Sequence, residues 1–428
     1  MISLNKESFL NVVVIFLYKY LVDLSYIMTQ ERFEYTGLFK LSESLASTWL
    51  SWCLLVLLLP MGMASLNGNT VSARVVSILF LVSVVPTISL IGFRQDYNSY
   101  YILLIMIYWS IFSIAWRYLP KINIFNRTDS SSSLGLYLII GVFSLVVLYI
   151  WARHAAFHIQ TDLGLTVYET RARAREFSIG SLTAYVWLSA DNILPLCVVY
   201  FLYRKRYMVA YVLSIIVFIN FSITATKQIL ALLVLGVFGF FFYKFISKGR
   251  YILFLLVAIL LISILEPLIF GTYFANYIPY RTLFIPGELH YSHFDFFQTN
   301  GVDYFSQGPL RHFIDSAYDT PIAFLIGEFT IGDVGARANN GLFSDAYQNL
   351  GALGVFIMPI FTALYLKALD GASKGHDRRL FVVVFVYTSF VLLGIPLTTA
   401  LLSSGLLLLL VFLMWLPRPR PQQSYQSS

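Results

Sequence analysis

Tyr251-Ile-Leu-Phe-Leu-Leu-Val-Ala-Ile-Leu-Leu-Ile-Ser-Ile-Leu-Glu-Pro-Leu-Ile-Phe270 carries one charged side chain, Glu266. As a helix rising about 1.5 Å per residue, this run spans about 30 Å, the thickness of bilayer hydrocarbon. It is continuously apolar rather than alternating, which excludes a transmembrane strand. In lipid its backbone satisfies itself only as a helix. Working outward, comparable runs recur near Ser8–Met28, Ala46–Met63, Val75–Ile91, Ser99–Trp116, Leu134–Trp151, Thr183–Tyr203, Tyr207–Thr224, Gln228–Ile246 and Leu342–Leu366. A hairpin of Leu380–Ile395 and Thr399–Leu416 closes the series near Gly394 and Pro396. The reading is an all-α polytopic membrane protein with about 12 transmembrane helices, forming one integral membrane domain over residues 1–428.

Composition agrees. The chain is 58% hydrophobic and only 12% charged, with a mean hydropathy of +0.74. A soluble surface of this size needs far more charge. The formal charge of +7 is read as basic connections between spans, not as a nucleic-acid footprint. Cys53 and Cys197 both fall within spans, so neither a disulfide framework nor thiol chemistry is expected. The first apolar run lacks a small-x-small cleavage site and reads as a retained span.

Short connections carry the lysines and arginines: Arg117, Lys121 and Arg127; Arg204, Lys205 and Arg206; Lys244, Lys248 and Arg250; Lys367, Lys374, Arg378 and Arg379; and, after the last span, Arg418 and Arg420. By the positive-inside bias these share the cytoplasmic side. Both termini are then cytoplasmic, including a tail at 417–428 expected to be disordered, and the Ser130–Ser133 run is a flexible stretch in a cytoplasmic connection. Two connections are long, Ala152–Leu182 (152–182) and Gly271–Gly341 (271–341), and both are expected on the far side.

The first long loop holds Arg171, Arg173 and Arg175 within Tyr168-Glu-Thr-Arg-Ala-Arg-Ala-Arg-Glu176. Guanidinium groups stay charged and grip phosphate bidentately, and the i, i+2 spacing suits a loop or strand around an anion. Pairing with Glu169 and Glu176, or with lipid headgroups, is the plainer alternative. In the second loop 11 of 36 residues from Gly271 to Ser306 are Phe or Tyr, mixed with Arg281, Glu288, His290, His293 and Asp295. Such a mixture offers faces for sugar C–H groups and edges for hydroxyls. The alternatives are an interfacial belt or a re-entrant helix packed on the bundle. His290 and Asp295 match an H-x4-D spacing and His290, His293 and Asp295 a loose metal triad, but both patterns are unspecific, and no metal or other cofactor is expected.

Within spans, Asp191 is costly in lipid and is expected to face the bundle interior or a wet cavity. Lys227 at the outer end of span eight is placed in the same vestibule, and Lys19 is expected to pair with Asp23 four residues on. Asn339, Asn340 and Gly341 favour a turn. Gly351 and Gly354 allow close helix packing. Asp345, Tyr347 and Asn349 would project at the outer interface.

Asn339-Asn-Gly-Leu-Phe-Ser-Asp-Ala-Tyr-Gln-Asn-Leu-Gly-Ala-Leu-Gly354 resembles a hallmark of bacterial O-antigen polymerases, the Wzy-type oligosaccharide repeat-unit polymerases. So do Tyr280-Arg-Thr-Leu-Phe-Ile-Pro-Gly287 with the following His-Phe-Asp-Phe-Phe run, and Ala225-Thr-Lys-Gln228. The resemblance implies a GT-C-like glycosyltransferase of the bacterial inner membrane with two long periplasmic loops. It would use undecaprenyl-diphosphate-linked oligosaccharides in the bilayer, with a chain-length regulator and a flippase as partners and no nucleic acid. On that reading Arg171, Arg173, Arg175, Arg281 and Lys227 hold the pyrophosphate. His293 and Asp295, then Glu288 and Asp345, are candidates for the base that takes the acceptor proton. Tyr280, Tyr291, Phe294, Asn340 and Tyr347 contact the glycan. An O-antigen ligase shares these substrates. A transporter would instead carry charges through its spans and have short external loops.

Overall fold

The computed structural model describes residues 6–42, 44–122, 133–162, 164, 166–246, 248–308, 311 and 313–418. Arg127, most of the Ser130–Ser133 run, Arg420 and the tail beyond 418 lie outside them. The described chain is helical, apart from an isolated bridge between Ser42 and Arg94. Eleven of its helices are long and apolar enough to cross a bilayer, which makes this a polytopic membrane protein. The expected hairpin is where the count departs from twelve. Its first arm is the 14-residue helix Phe381–Gly394, about 21 Å of rise against the about 30 Å a bilayer asks. Its second arm is broken into Leu397–Leu402 and Leu406–Trp415.

The chain forms two compact units. Unit 1 comprises Met1–Pro120, Lys248–Lys367 and Ser389–Ala400. It holds the spans Glu7–Thr36, Leu45–Asn67, Val71–Phe93, Ser99–Tyr118 and Gly249–Phe270, and most of the Phe343–Ser373 helix. One end of this unit is basic. There Arg250 pairs with Glu7 at 2.9 Å, Arg74 donates to the carbonyls of Ser65, Leu66 and Gly68, and Lys367 lies over the Trp116 ring. In the interior, Lys19 donates to both Asp23 oxygens at 2.6 and 2.7 Å, as their i, i+4 spacing predicts.

At the opposite end of unit 1, the second long connection is far more ordered than a loop. A π-helical turn at Tyr280–Phe284 leads straight into the helix Ile285–Asn300, and a further helix covers Ile322–Ile331. The Ile285–Asn300 helix buries eight of its residues. It packs against the Val71–Phe93 span, which has its own π-helical turn at Phe80–Val84. A Cβ on Gly287 would lie 2.5 Å from Leu90, so glycine permits this approach. The Phe343–Ser373 helix is interrupted at Gly351, whose φ of +57° and ψ of −139° no L side chain readily adopts. Gly351 therefore breaks the helix, where the sequence reading had assigned it close packing.

Unit 2 comprises Lys121–Ser247, Ala368–Thr388 and Leu401–Ser428. Its spans include Leu134–Arg153, Ser181–Tyr203, Tyr207–Thr224 and Lys227–Phe245. One end is again basic. Arg379 lies over the rings of Tyr203, Phe240 and Tyr243, the Tyr200 hydroxyl reaches Pro417 O, and a Cβ on Gly375 would touch Arg418. The connections at 204–206 and 374–379 and the last described residues thus converge, as the charge pattern requires within this unit.

The first long connection lies at the other end of unit 2, and its arginines are helical, on Thr166–Arg175. Gln160 anchors this helix by donating to Thr166 and accepting from Thr170, both at 2.9 Å. Helical geometry corrects the loop-or-strand reading: residues two apart point about 200° from each other. The three guanidiniums do not converge. Arg171 donates to Ala225 O at 3.0 and 3.2 Å, closing the left-handed turn that ends Tyr207–Thr224. Arg173 pairs loosely with Glu169 at 3.8 Å on the exposed surface. Arg171→Ala is expected to cost about 1 kcal/mol, read as a small drop in melting temperature. Arg173→Ala should leave the melt unchanged, and equal effects of the two would contradict this assignment.

Candidate functional site

The site of unit 1 is built on a buried charge network. Arg94, directly after the Val71–Phe93 span, donates from Nη1 to both Glu288 oxygens at 2.8 Å and from Nε and Nη2 to Asp96 at 2.7 and 2.9 Å. Tyr97 donates to Glu288 Oε2 at 2.8 Å, and Tyr26 donates to Glu288 Oε1 at 3.4 Å. Burial works against the charged guanidinium, but its carboxylate and tyrosine partners outweigh that and hold Arg94 above its ordinary range. These contacts pin the first turn of the Ile285–Asn300 helix and fix which side chains its later turns present.

Two histidines follow on that helix. His290 is engaged at both nitrogens: Nδ1 lies 2.9 Å from Ser344 Oγ and 3.2 Å from Asn340 Nδ2, and Nε2 lies 3.4 Å from Ser83 Oγ. His293, one turn further, is 1% exposed, and its Nδ1 has no hydrogen-bond partner. Burial lowers both imidazoles to about 3, and each is therefore neutral at physiological pH. Between pH 6.5 and 3 the unfolded chain takes up protons here that the folded chain refuses. Stability should therefore fall as pH drops through that window, by about 1.4 kcal/mol per pH unit and histidine. Melting in detergent at pH 7.5 and 5.0 checks this. His290→Asn should flatten part of the difference, and a wild-type melt that is the same at both values would contradict it.

His293 opens onto a cavity of about 320 Å³, within the range of small-molecule sites. Its walls come from the segment 303–308, the start of the Ile322–Ile331 helix, residues 338–340, Gln348 and Asn349, and residues 395–399. The polar lining is carboxamide and hydroxyl: Gln307, Asn339, Asn340, Gln348, Asn349, Thr398 and Thr399, with one carboxylate, Asp303, and one imidazole. Among the described residues, no lysine or arginine lines it. Asp303 is 3% exposed and accepts from the Ser306 hydroxyl and from Gln307 N at 3.2 Å. Gln307 staples the adjoining loop, donating to Tyr318 O and Thr320 O and accepting from Ile322 N. Asn340 spends its amide protons on Pro286 O and Ser344 Oγ, and no protein group among the described residues donates to its oxygen.

Of the residues nominated from sequence, His293 and Asn340 line this cavity. Asp345 does not project outward as expected. It is 1% exposed, accepts from Leu397 N and Asn349 Nδ2 at 2.8 Å, and so caps the helix Leu397–Leu402 while holding a cavity wall. Asn349 and Tyr347 are buried as well. Glu288 is committed to Arg94, and Asp295 is half-buried away from the lining. Phe294 and Tyr347 pack on each other at 4.9 Å inside an aromatic cluster with Tyr101 and Phe343, leaving no free ring face for a sugar. Tyr291 stacks on Tyr97 at 4.3 Å and Tyr280 on Phe33 at 4.0 Å; both keep partial exposure. Arg281 is exposed on the π turn in unit 1. Arg171, Arg173, Arg175 and Lys227 belong to unit 2.

The sequence reading passed over Asp303, Gln307, Gln348 and the threonines 398 and 399. Asp303 had a local signal, since Gly301-Val-Asp-Tyr-Phe-Ser306 reads as a helix stop followed by an Asp that caps the next turn. Nothing local marks Thr398 and Thr399, which reach the site only because residues 395–399 fold back on it.

Among the described residues, no three His, Cys, Asp or Glu side chains gather in a way that would hold a metal ion. Fold and site together define a polytopic α-helical membrane protein with a half-open, hydrogen-bonding cavity at one end of a helical unit. In comparisons with known proteins, the chain matches no family model, no curated protein and no solved structure.

Proposed function

We propose that this protein joins undecaprenyl-diphosphate-linked oligosaccharide repeat units into a surface polysaccharide, as a GT-C-like O-antigen polymerase of the bacterial inner membrane. The observation that carries the reading is the cavity lining. Carboxamides and hydroxyls with one carboxylate and no cation suit a polyhydroxyl ligand, while a transported ion would ask for charge of one sign. The motif resemblance around Asn339–Gly354 and Tyr280–Gly287 falls on segments that wall or support this cavity.

In the reaction, an acceptor hydroxyl attacks the anomeric carbon of the lipid-linked chain. The bond from that carbon to the phosphate oxygen breaks, and the lipid diphosphate leaves with the bonding pair. The acceptor proton passes to a base. Asp303 takes that role, because it is an acceptor in the cavity wall. His293 resists protonation, so it serves as a neutral ring in the cavity wall that orients the sugar. Arg281 is the unit 1 candidate for neutralising the leaving diphosphate.

The test is reconstitution. Purified protein in lipid vesicles, given undecaprenyl-diphosphate repeat units, should yield a ladder of products and free undecaprenyl diphosphate. Transfer only to a lipid A-core acceptor would make it a ligase. Absence of any lipid diphosphate release would remove the glycosyltransferase reading.

A further inference from the structure

Asp303 enters the cavity wall at the start of a strained turn. Tyr304 and Phe305, which follow it, both take left-handed backbone conformations, with φ of +53° and +60°. Bulky L residues rarely adopt this region, because the Cβ crowds the backbone. Two in succession persist only where surrounding groups hold them.

The holding groups lie at the Gly351 break of the Phe343–Ser373 helix. A helix end leaves its last carbonyls without intrahelical partners. Here Gln348 O accepts from Asp303 N at 2.8 Å, and Asn349 O accepts from Tyr304 N at 3.1 Å. The third amide of the turn, Phe305 N, donates to a side chain, Asn349 Oδ1, at 3.0 Å. Asn349 is 3% exposed, and its Nδ2 donates to Asp345 O and Asp345 Oδ1, both at 2.8 Å. Those two bonds fix which end of the amide faces Phe305. Asp345 Oδ2 accepts from Leu397 N at 2.8 Å. The Asp345–Asn349 pair thus ties together the 303–305 turn, the helix end and the segment that carries Thr398 and Thr399, three walls of the cavity.

We propose that Asn349 is a positioning residue for Asp303: its side chain holds the left-handed turn, and with it the Asp303 carboxylate, in the cavity wall. For its catalytic consequence this rests on reading Asp303 as the base. Asn349 spends its amide on protein groups, so it acts through Asp303 and not on the sugar. Asn349→Ala leaves Phe305 N unpaired. The turn then relaxes toward unstrained backbone and carries the carboxylate away from the acceptor hydroxyl, and a misplacement of about 1 Å costs about a hundredfold in rate.

The test reads the turn and the reaction separately, in the full-length protein. Hydrogen exchange on overlapping peptides across 302–308 should show a slow Phe305 amide in wild type and one about tenfold faster in Asn349→Ala. In the reconstituted reaction Asn349→Ala should lower kcat about a hundredfold while KM for the acceptor unit holds. Glycine adopts left-handed backbone freely. Tyr304→Gly should therefore leave wild-type turnover unchanged and, combined with Asn349→Ala, recover most of the lost kcat, a rescue that a merely structural role for Asn349 would not give. Unchanged exchange at Phe305 in Asn349→Ala, an unchanged kcat, or a double variant as impaired as the single one overturns the proposal. A wild-type protein that releases no lipid diphosphate overturns the reading of Asp303 as base, while the exchange rates still decide whether Asn349 holds the turn. If Asn349→Ala does not fold, the wild type decides: a slow Phe305 amide supports the proposal, and one that exchanges as open chain overturns it.

Discussion

Arg94→Ala is expected to remove about 3–5 kcal/mol from the stability of unit 1, the cost of orphaning a buried charge. Against a total stability of about 5–15 kcal/mol, that is enough to leave much of the protein unfolded near its working temperature. The reason is geometric. Glu288 is 3% exposed and receives both its strong charge-assisted bonds from one guanidinium nitrogen. Without Arg94 the buried carboxylate keeps only the tyrosine hydroxyls. Asp96 is 40% exposed and hydrates in the absence of its partner. The double variant Arg94→Met with Glu288→Met should recover most of the loss, because apolar side chains of similar volume replace a buried pair with little penalty. Thermal melts of the three variants in detergent decide it. A single variant that melts with the wild type would mean the pair contributes nothing to the fold.

Asp303→Asn should reduce polymer formation by about 10²–10⁴-fold, the contribution of a positioned base. The substitution keeps the size of the side chain; its amide oxygen can accept from Gln307 N while its amide N–H donates to Ser306 Oγ, so both neighbours retain a partner and the fold survives. His293→Ala should also deplete the ladder, through loss of orientation rather than of a proton acceptor. The two are separable: His293→Asn restores a hydrogen-bonding group and should recover part of the activity, whereas no neutral residue at 303 should. In a polymerase-deficient strain the readout is the modal polysaccharide ladder, which should collapse to core plus one unit while membrane levels of the protein hold. Arg281→Ala should produce the same collapse through the leaving diphosphate. A wild-type ladder with Asp303→Asn would remove that residue from the chemistry.

The two predictions differ in what made them visible. Glu288 and Arg94 are 194 residues apart. Nothing in the sequence singled out Arg94, and Glu288 read as a free carboxylate available for proton transfer. Only the docking of the Ile285–Asn300 helix on the Val71–Phe93 span turns it into half of an ion pair. Phe294 and Tyr347 show the same limit. An aromatic-rich stretch signals large apolar faces, but whether those faces meet a sugar or each other depends on which elements pack together. His293 was nominated from sequence for its side-chain chemistry alone; its chain neighbours Phe294 and Asp295 lie off the lining, and its partners in the wall come from distant segments. Arg171 was misread because spacing was judged for an extended chain, and helical twist sends adjacent alternate residues to opposite sides.

By itself the sequence determined that this chain lives in lipid as helices, with nearly every span in place, and that basic connections collect at one end of each unit. Those properties are set residue by residue, through the transfer of apolar side chains and the need of each backbone group for an internal partner. Tertiary structure decided the rest. It turned the second long connection into buried helix, broke the last span at Gly405, and brought six separated segments together around a cavity. It also left the buried Nδ1 of His293 without a partner among the described residues. Each of these outcomes is a competition among distant groups for the same hydrogen bonds and the same space, and no local stretch contains the terms of that competition.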